Sequence, residues 1–292
     1  MIRLAMIGCG NMGGSHRRGL EQLADRTRIT AAVDIDEERA RATAEAFGCK
    51  TWATDYREVL NEFDAAIVAL PHHLHHRAGL DLAEAGKHIL MEKPLANTEQ
   101  ECTELIEAAD NAGVTLMVGY CMRFHPLLQE MERLVRGEKY GECFQLSNWT
   151  EQHTQRDPDN WMCRRKTLGG GQLFSHGCHY IDILLAWMGD PVEGVHVGTN
   201  LGTPWMEAEG TSNVSMKFAD GALGYHFGTW GARGTRLRYS FHAHCTDGML
   251  EATVHPSRLI LHRGAREGGE GQEEVLLETE RGKHVHRELQ HF

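Results

Sequence analysis

The chain has 292 residues, 41% of them hydrophobic and 24% charged, with 30 Lys and Arg against 41 Asp and Glu for a formal net charge of -11. That length suits about two domains of ~150 residues, and the composition is globular rather than disordered. The acidic balance excludes a general affinity for nucleic acid or anionic membrane, because binding there is driven mainly by neutralisation of phosphate charge.

The first ~120 residues alternate strand and helix signals. Arg3–Ile7 reads as a short apolar strand, Met12–Ala24 as a helix, and Ile29–Val33 as a β-branched strand ending at Asp34. Asp36–Phe47 is predicted helical with Gly48 as its cap. Ala65–Leu70 is an uninterrupted apolar run, the pattern of a strand buried on both faces. A helix from His75 to Ala85, a strand His88–Met91, a helix opened by the capping box Thr98-x-x-Glu101, and a strand Thr115–Val118 follow. Strands separated by such helices imply right-handed crossovers and a parallel sheet, hence an α/β first domain over residues 1–121. After about residue 125 the pattern changes. A helical stretch surrounds Gly171–Met188. Strand-like segments then run at Thr211–Phe218, Ala222–Thr229, Leu237–His244, Leu250–Val254, Leu259–His262 and Glu274–Thr279. Asp220-Gly221 and Asp247-Gly248 mark hairpins, so residues 122–292 are expected to form an α+β domain on an open antiparallel sheet. Arg266–Gln272 reads as an exposed Gly/Glu-rich loop.

The eight cysteines include no Cys-x-x-Cys pair, which argues against a zinc ribbon or a dithiol redox motif. A chain this long needs no disulfides for its core, so the thiols read as reduced and the protein as cytoplasmic. The first residues lack the apolar region of a signal peptide, and no apolar run approaches 18 residues, so no membrane partner is expected.

Gly8-Cys9-Gly10-Asn11-Met12-Gly13 is a Gly-x-Gly-x-x-Gly run between a predicted strand and a predicted helix, and the acidic Asp34 ends the second strand. Gly8 permits the tight turn, Gly10 lets the backbone approach a pyrophosphate, and Gly13 lets helix and strand pack closely. The helix N-terminus offers free N–H groups to phosphate. Asp34 would accept from the adenosine ribose and repel the 2′-phosphate of NADP, so the expected cofactor is NAD. The spacing from Gly8 to Asp34 is slightly long, which an extra turn before Ile29 would absorb.

Together with the run Ala85–Ala96, which contains Glu92-Lys93-Pro94, these glycines resemble the glucose–fructose oxidoreductase / inositol dehydrogenase / MocA family. The resemblance continues in Val118–Pro126, which includes Arg123, and in Gly169-Gly170-Gly171 leading to His179-Tyr180-Ile181-Asp182. It implies a Rossmann domain, a substrate domain with an open antiparallel sheet, and NAD(P)-linked oxidation or reduction of sugars and polyols. It further implies that Lys93 lies beside the nicotinamide, often with a cis Lys93–Pro94 bond, and that Leu70, Pro71, His72 and His75 line the cofactor with Glu92 and Arg123.

On an ideal helix Ser175, His179 and Asp182 fall at i, i+4 and i+7, on one face, with His176 beside His179. Oxidising a secondary alcohol requires a base near working pH, and histidine at ~6.5 suits. His179 is therefore the expected base, Asp182 the group that holds its ring, and Lys93 the stabiliser of the developing alkoxide. The family often has an aspartate where this chain has Ser175, which cannot carry the charge. Either Asp182 suffices or His176 contacts substrate. Arg123, Arg156, Arg164, Arg165 and Lys166 are candidates to hold an acidic sugar or phosphate. The His72, His73, His75 and His76 cluster lacks carboxylate or thiolate at ligand spacing, so no metal is expected. His242 and His244 share one strand face and read as sheet surface or cleft lining.

The leading reading is an NAD-dependent sugar or polyol dehydrogenase. Alternatives are a glycoside-cleaving enzyme that oxidises its sugar transiently, and a non-enzymatic NAD/sugar sensor, against which Lys93, His179 and Asp182 argue. The half-covered sheet is expected to build a homodimer or homotetramer through Thr211–Val254. Family members usually continue past a segment like Leu289–Phe292 into a helix that packs towards the first domain. The expectation is that such a segment lies beyond this sequence, or that the chain is a short member.

Overall fold

A computed structural model describes residues 1–264 and 271–292. The chain passes from one compact unit to a second between Cys121 and Met122. The first unit also takes in Lys166–Gly169 and His284–Phe292, two segments that a contiguous division at residue 121 assigns to the second.

The first unit is a six-stranded parallel sheet of β1 (Ile2–Ile7), β2 (Thr27–Val33), β3 (Thr51–Ala53), β4 (Ala65–Val68), β5 (His88–Glu92) and β6 (Leu116–Gly119). Its order is β3-β2-β1-β4-β5-β6, so the winding reverses between β1 and β4. In open sheets of this kind the strand ends at such a reversal form the ligand crevice. All four residues of β4 are buried, as expected for a strand covered on both faces. The helices between strands are α1 (Asn11–Leu20), α2 (Glu37–Phe47), α3 (His75–Glu84) and α4 (Glu99–Ala112). Phe63, Ile67, Leu82, Ile89, Leu90 and Met91 are fully buried, each side chain contributing roughly 1.5–3 kcal/mol. The extra turn between Gly8 and Asp34 is a short 3₁₀ segment, Glu21–Leu23. Strand β3 and the 3₁₀ stretch Tyr56–Glu62 have no counterpart in the sequence reading, since three residues are too few to show a period.

A terminal helix, Val285–His291, packs on α1. Val285 and Leu289, one turn apart, bury one face in the cluster of Leu4, Leu20 and Leu23. Residues of this chain thus form a helix that packs on the first domain.

The second unit is an eight-stranded sheet. Its strands are β7 (Cys143–Glu151), β8 (Pro191–Thr199), β9 (Thr211–Phe218), β10 (Leu223–Thr229), β11 (Tyr239–Cys245), β12 (Gly248–Val254), β13 (Ser257–Arg263) and β14 (Gln272–Glu278). The order is β14-β13-β12-β11-β7-β10-β9-β8. All neighbours are antiparallel except β7 and β10, which run parallel, so the sheet is mixed. Between these two strands the chain runs through the helical segment and then through β8 and β9, and a connection of that length permits a parallel pair. The helices are α5 (Pro126–Arg136), the short α6 (Arg165–Leu168) and α7 (Cys178–Met188), of which α6 falls almost wholly in the first unit. Helix α5 packs on β12 and β13, and α7 on β7 and β10. The expected loop Arg266–Gln272 lies outside the described residues as far as Glu270, and Gln272 opens β14.

The capping box is formed in full: Thr98 Oγ1 accepts from the Glu101 N–H, and Glu101 accepts from the Thr98 N–H. Replacing Thr98 with Ala leaves an orphan donor on an exposed turn, so a loss of about 1 kcal/mol is expected. A urea midpoint unchanged within error would refute the assignment of the cap as stabilising.

Candidate functional site

The turn from β1 into α1 leaves no room for side chains on its lower side. Gly8 has φ 95°, and a Cβ there would overlap the Ala69 carbonyl. A Cβ on Gly13 would overlap the carbonyl of Gly8. On the upper side the reverse holds, and a Cβ on Gly10 would meet nothing within 4 Å. Gly10 is the N-cap of α1, so no side chain caps the first N–H groups, of Asn11, Met12 and Gly13. Asp34, 8% exposed, ends β2 beside this turn. Its Oδ2 accepts from the Cys9 N–H at 2.8 Å and its Oδ1 from the Asp36 N–H at 3.0 Å. Arg39 Nε stands 3.9 Å from Oδ1. A carboxylate has about four acceptor sites, so Asp34 retains capacity for hydroxyl donors. An open cradle of amides with a fixed carboxylate at its side fits a dinucleotide.

Past the ends of β4 and β5 lie the other expected cofactor residues. The Lys93–Pro94 bond is cis. His72 Nδ1 is 2.8 Å from the Leu168 carbonyl, and burial pushes its pKa down to about 3. His75 is fully buried between two carbonyls, Pro94 O at 2.8 Å from Nδ1 and Leu70 O at 2.9 Å from Nε2. Burial lowers its pKa too, so the neutral ring donates to one of them at a time. His76 pairs instead with Glu104, so the histidine cluster does not converge. Among the described residues no three His, Cys, Asp or Glu side chains are grouped to hold a metal.

One residue of this region escaped the sequence reading. His16, fully buried in α1, places Nε2 2.8 Å from Glu92 Oε1, and Glu92 Oε2 lies 3.3 Å from the Lys93 N–H. The pair ties the helix of the glycine turn to the start of the Lys93 turn. Its only sequence signal is position, since His16 lies three residues past Gly13 on the face that α1 buries.

In the second unit the wheel over Ser175, His179 and Asp182 does not survive intact. Leu173–Gly177 is a π turn, which winds more widely than the α7 that follows, so Ser175 lies on a different winding from His179 and Asp182. Asp182 does not hold the His179 ring as expected. Both its oxygens accept from Arg123, at 2.6 Å from Nε and from Nη2, in a forked pair. Arg123 itself, expected at the cofactor and the substrate, is committed to this fork. Arg164 is likewise shared between Asp159 at 2.5 Å and Glu207 at 2.9 Å, and Glu207 also accepts the Arg165 N–H, so these carboxylates compete with any anion for that charge. Ser175 and His179 are buried at 2% and 5% exposure. The His176 ring is surrounded by Tyr180, Tyr239, His179 and Trp230, with centroids 5.3 to 6.4 Å away.

Two family models match most of the chain. One, described as an oxidoreductase family with NAD-binding Rossmann fold, covers residues 2–120, and the C-terminal domain model of the same Gfo/Idh/MocA group covers residues 128–251. Inositol 2-dehydrogenase 2 of Saccharopolyspora erythraea is 36% identical over 148 residues, 50% of this chain and 44% of that protein. Levoglucosan dehydrogenase of Pseudarthrobacter phenanthrenivorans is 24% identical over 284 residues, 85% of this chain and 73% of its own length. The solved structure of a levoglucosan dehydrogenase with NADH and levoglucosan superposes with a TM-score of 0.88 over 99% of this chain and 87% of that one, at 20% identity, a likeness of fold.

Gly8→Ala tests the cradle. A Cβ there meets backbone rather than a flexible side-chain end, so the turn must open. At least tenfold weaker NADH binding by fluorescence titration is expected, and an unchanged Kd in the folded variant would remove the turn from the dinucleotide site.

Proposed function

The chain belongs to the Gfo/Idh/MocA oxidoreductase family, and from that premise we propose that it transfers hydride between NAD and a secondary hydroxyl of a sugar, sugar derivative or polyol. The observation that carries the reading is the uncapped N-terminus of α1 above the glycine turn, with Asp34 fixed beside it by the Cys9 and Asp36 amides. That arrangement offers N–H groups to a pyrophosphate and a carboxylate to a ribose diol. When bound, NAD supplies the hydride acceptor. The relatives named for inositol and levoglucosan favour a carbohydrate-like substrate.

The roles follow from what each side chain can do. His179 accepts the hydroxyl proton as the C–H hydrogen leaves as hydride. The Lys93 ammonium stabilises the developing alkoxide. His176, in its aromatic surround, contacts substrate. Asp182 acts through Arg123, holding the guanidinium in one plane, rather than through the imidazole. His16 and Glu92 set the backbone from which Lys93 projects. Among the described residues no two cysteines are joined by a disulfide, which favours a reducing compartment such as the cytoplasm. No helix among the described residues is long and apolar enough to cross a membrane.

Assembly is part of the proposal. The edge strand β8 is exposed along its whole length, including Val192, Val195 and Val197. Together with Leu223, the exposed large hydrophobic of Thr211–Val254, these valines offer apolar contacts to a second copy. Sedimentation at micromolar concentration should show a dimer or tetramer, and a monomer there would count against this surface.

His179→Ala should lower kcat by ~10²–10⁴, the range for losing general acid–base catalysis, while the Kd for NAD stays within about twofold. Wild-type kcat/KM should vary with pH through an ionisation that the variant lacks. An identical pH profile in both, with less than tenfold loss, would show that His179 is not the base. NAD should be preferred over NADP because Asp34 repels a 2′-phosphate, and kcat/KM favouring NADP would overturn that.

A further inference from the structure

The helical segment that carries His176 and His179 rests on a buried polar pair. Asn148 of β7 and His226 of β10 are register partners across the one parallel ladder of the sheet. Both are 0% exposed. The Asn148 carboxamide nitrogen donates to the Tyr180 carbonyl at 3.2 Å, in the first turn of α7. Its orientation is thereby fixed, because a carbonyl can only accept. The carboxamide oxygen then faces His226 Nδ1, 2.5 Å away. An oxygen that only accepts needs a hydrogen on that nitrogen, so the neutral ring is the Nδ1–H tautomer with its lone pair at Nε2. Burial keeps the ring neutral by pushing its pKa down to about 3.

The remaining edge of the ring faces the π turn. A Cβ on Gly177 would stand 3.0 Å from His226 Nε2 and 2.9 Å from Leu173 Cδ1, so the turn sits directly against the imidazole. Nε2 has no hydrogen-bond partner among the described residues. The face of the ring stacks on Tyr180, with centroids 5.5 Å apart and planes 11° from parallel. An apolar pair would cover this patch without burying an unpartnered nitrogen. What an apolar pair cannot supply is direction: a bond to one carbonyl fixes the height and rotation of the helix at Tyr180, and the ring edge fixes where the wider turn ends.

We propose that Asn148 and His226 are positioning residues that hold the junction between the π turn and α7, and so aim the adjacent His179 imidazole. This rests on the reading of His179 as proton acceptor. A small misplacement of a reacting group can cost about 10²-fold in rate.

The test uses the full-length protein loaded with NAD. Ring ¹⁵N shifts of wild type should show His226 as the Nδ1–H tautomer, and an Nε2–H tautomer overturns the inference without any variant. His226→Phe keeps the stack on Tyr180 but removes the donor. His226→Asn keeps a donor near the Nδ1 position. Asn148→Leu removes the bond to Tyr180 and serves if the Phe variant does not fold. The Phe or Leu variant should lose ~10–100-fold in kcat with the Kd for NAD unchanged, and the His179 titration followed by NMR should move. The Asn variant should recover to within about threefold of wild type. A folded Phe or Leu variant with wild-type kcat and an unmoved His179 titration overturns the inference. Failure of the His179 reading is distinguishable: the wild-type pH profile would then survive His179→Ala, while the NMR titration of His179 still reports whether its surroundings shift in the Phe variant.

Discussion

Three strand ends of the first unit meet at a turn that has no room for a Cβ. The Gly8 N–H donates to Val33 O at 2.8 Å, the Ala69 N–H to Ile7 O at 2.7 Å, and the Cys9 N–H to Asp34 at 2.8 Å. The ends of β1, β2 and β4 are thus drawn together by backbone, and α1 starts directly above them because Gly13 lies on the Gly8 carbonyl. Much else in the unit follows from this approach. It places Asp34 at the side of the turn, leaves the α1 N-terminus facing outward, and turns His16 inward to Glu92. The dinucleotide site is therefore less a set of added groups than the by-product of how closely three strands and a helix can pack.

The second unit solves a different problem. Its helical segment lies on a sheet whose buried face is partly polar: Asn148, Thr150, Ser212 and His226 are all buried there. Hydrophobic contact alone is non-directional and tolerates sliding of a helix over a sheet. Polar contacts between fixed partners do not: the bond from Asn148 to the Tyr180 carbonyl specifies one arrangement rather than adds much stability. The helical segment that carries His176 and His179 is thereby fixed in direction as well as covered.

How far the sequence discloses this depends on how local the cause is. The β4 run, the Thr98–Glu101 box and the Asp36 cap of α2 are visible because each acts within a few residues. The parallel partner of β7 is not visible. That strand, Cys143–Glu151, turns Asn148 and Thr150 inward with Leu146, so a pattern of apolar-in and polar-out does not mark it. Helix α5 is legible in principle, with Pro126 at its start and Leu127, Leu128, Met131, Leu134 and Val135 on one buried face, yet a reading attentive to motifs passes over it. The partner of Asp182 could not be found from helical spacing, because Arg123 is 59 positions away in sequence. The π turn is hidden for the same reason: the ring it packs against, His226, belongs to β10, far along the chain.

The histidines show why residue type alone stops short of function. The chain has 19 of them, all with the same intrinsic proton affinity. Burial removes His72, His75 and His226 from titration by pulling each below its ordinary pKa. Others are held by carboxylates on the sheet, as His262 is by Glu251 at 2.8 Å. What marks His176 and His179 is their company: an aromatic surround of Tyr180, Trp230 and Tyr239 at the junction of two helical geometries. Such a ring cluster excludes water from the imidazoles it surrounds. The same residue type is thus a neutral, buried hydrogen-bonding group in one place and a member of an aromatic cluster in another, and the difference is set by the packing around each ring.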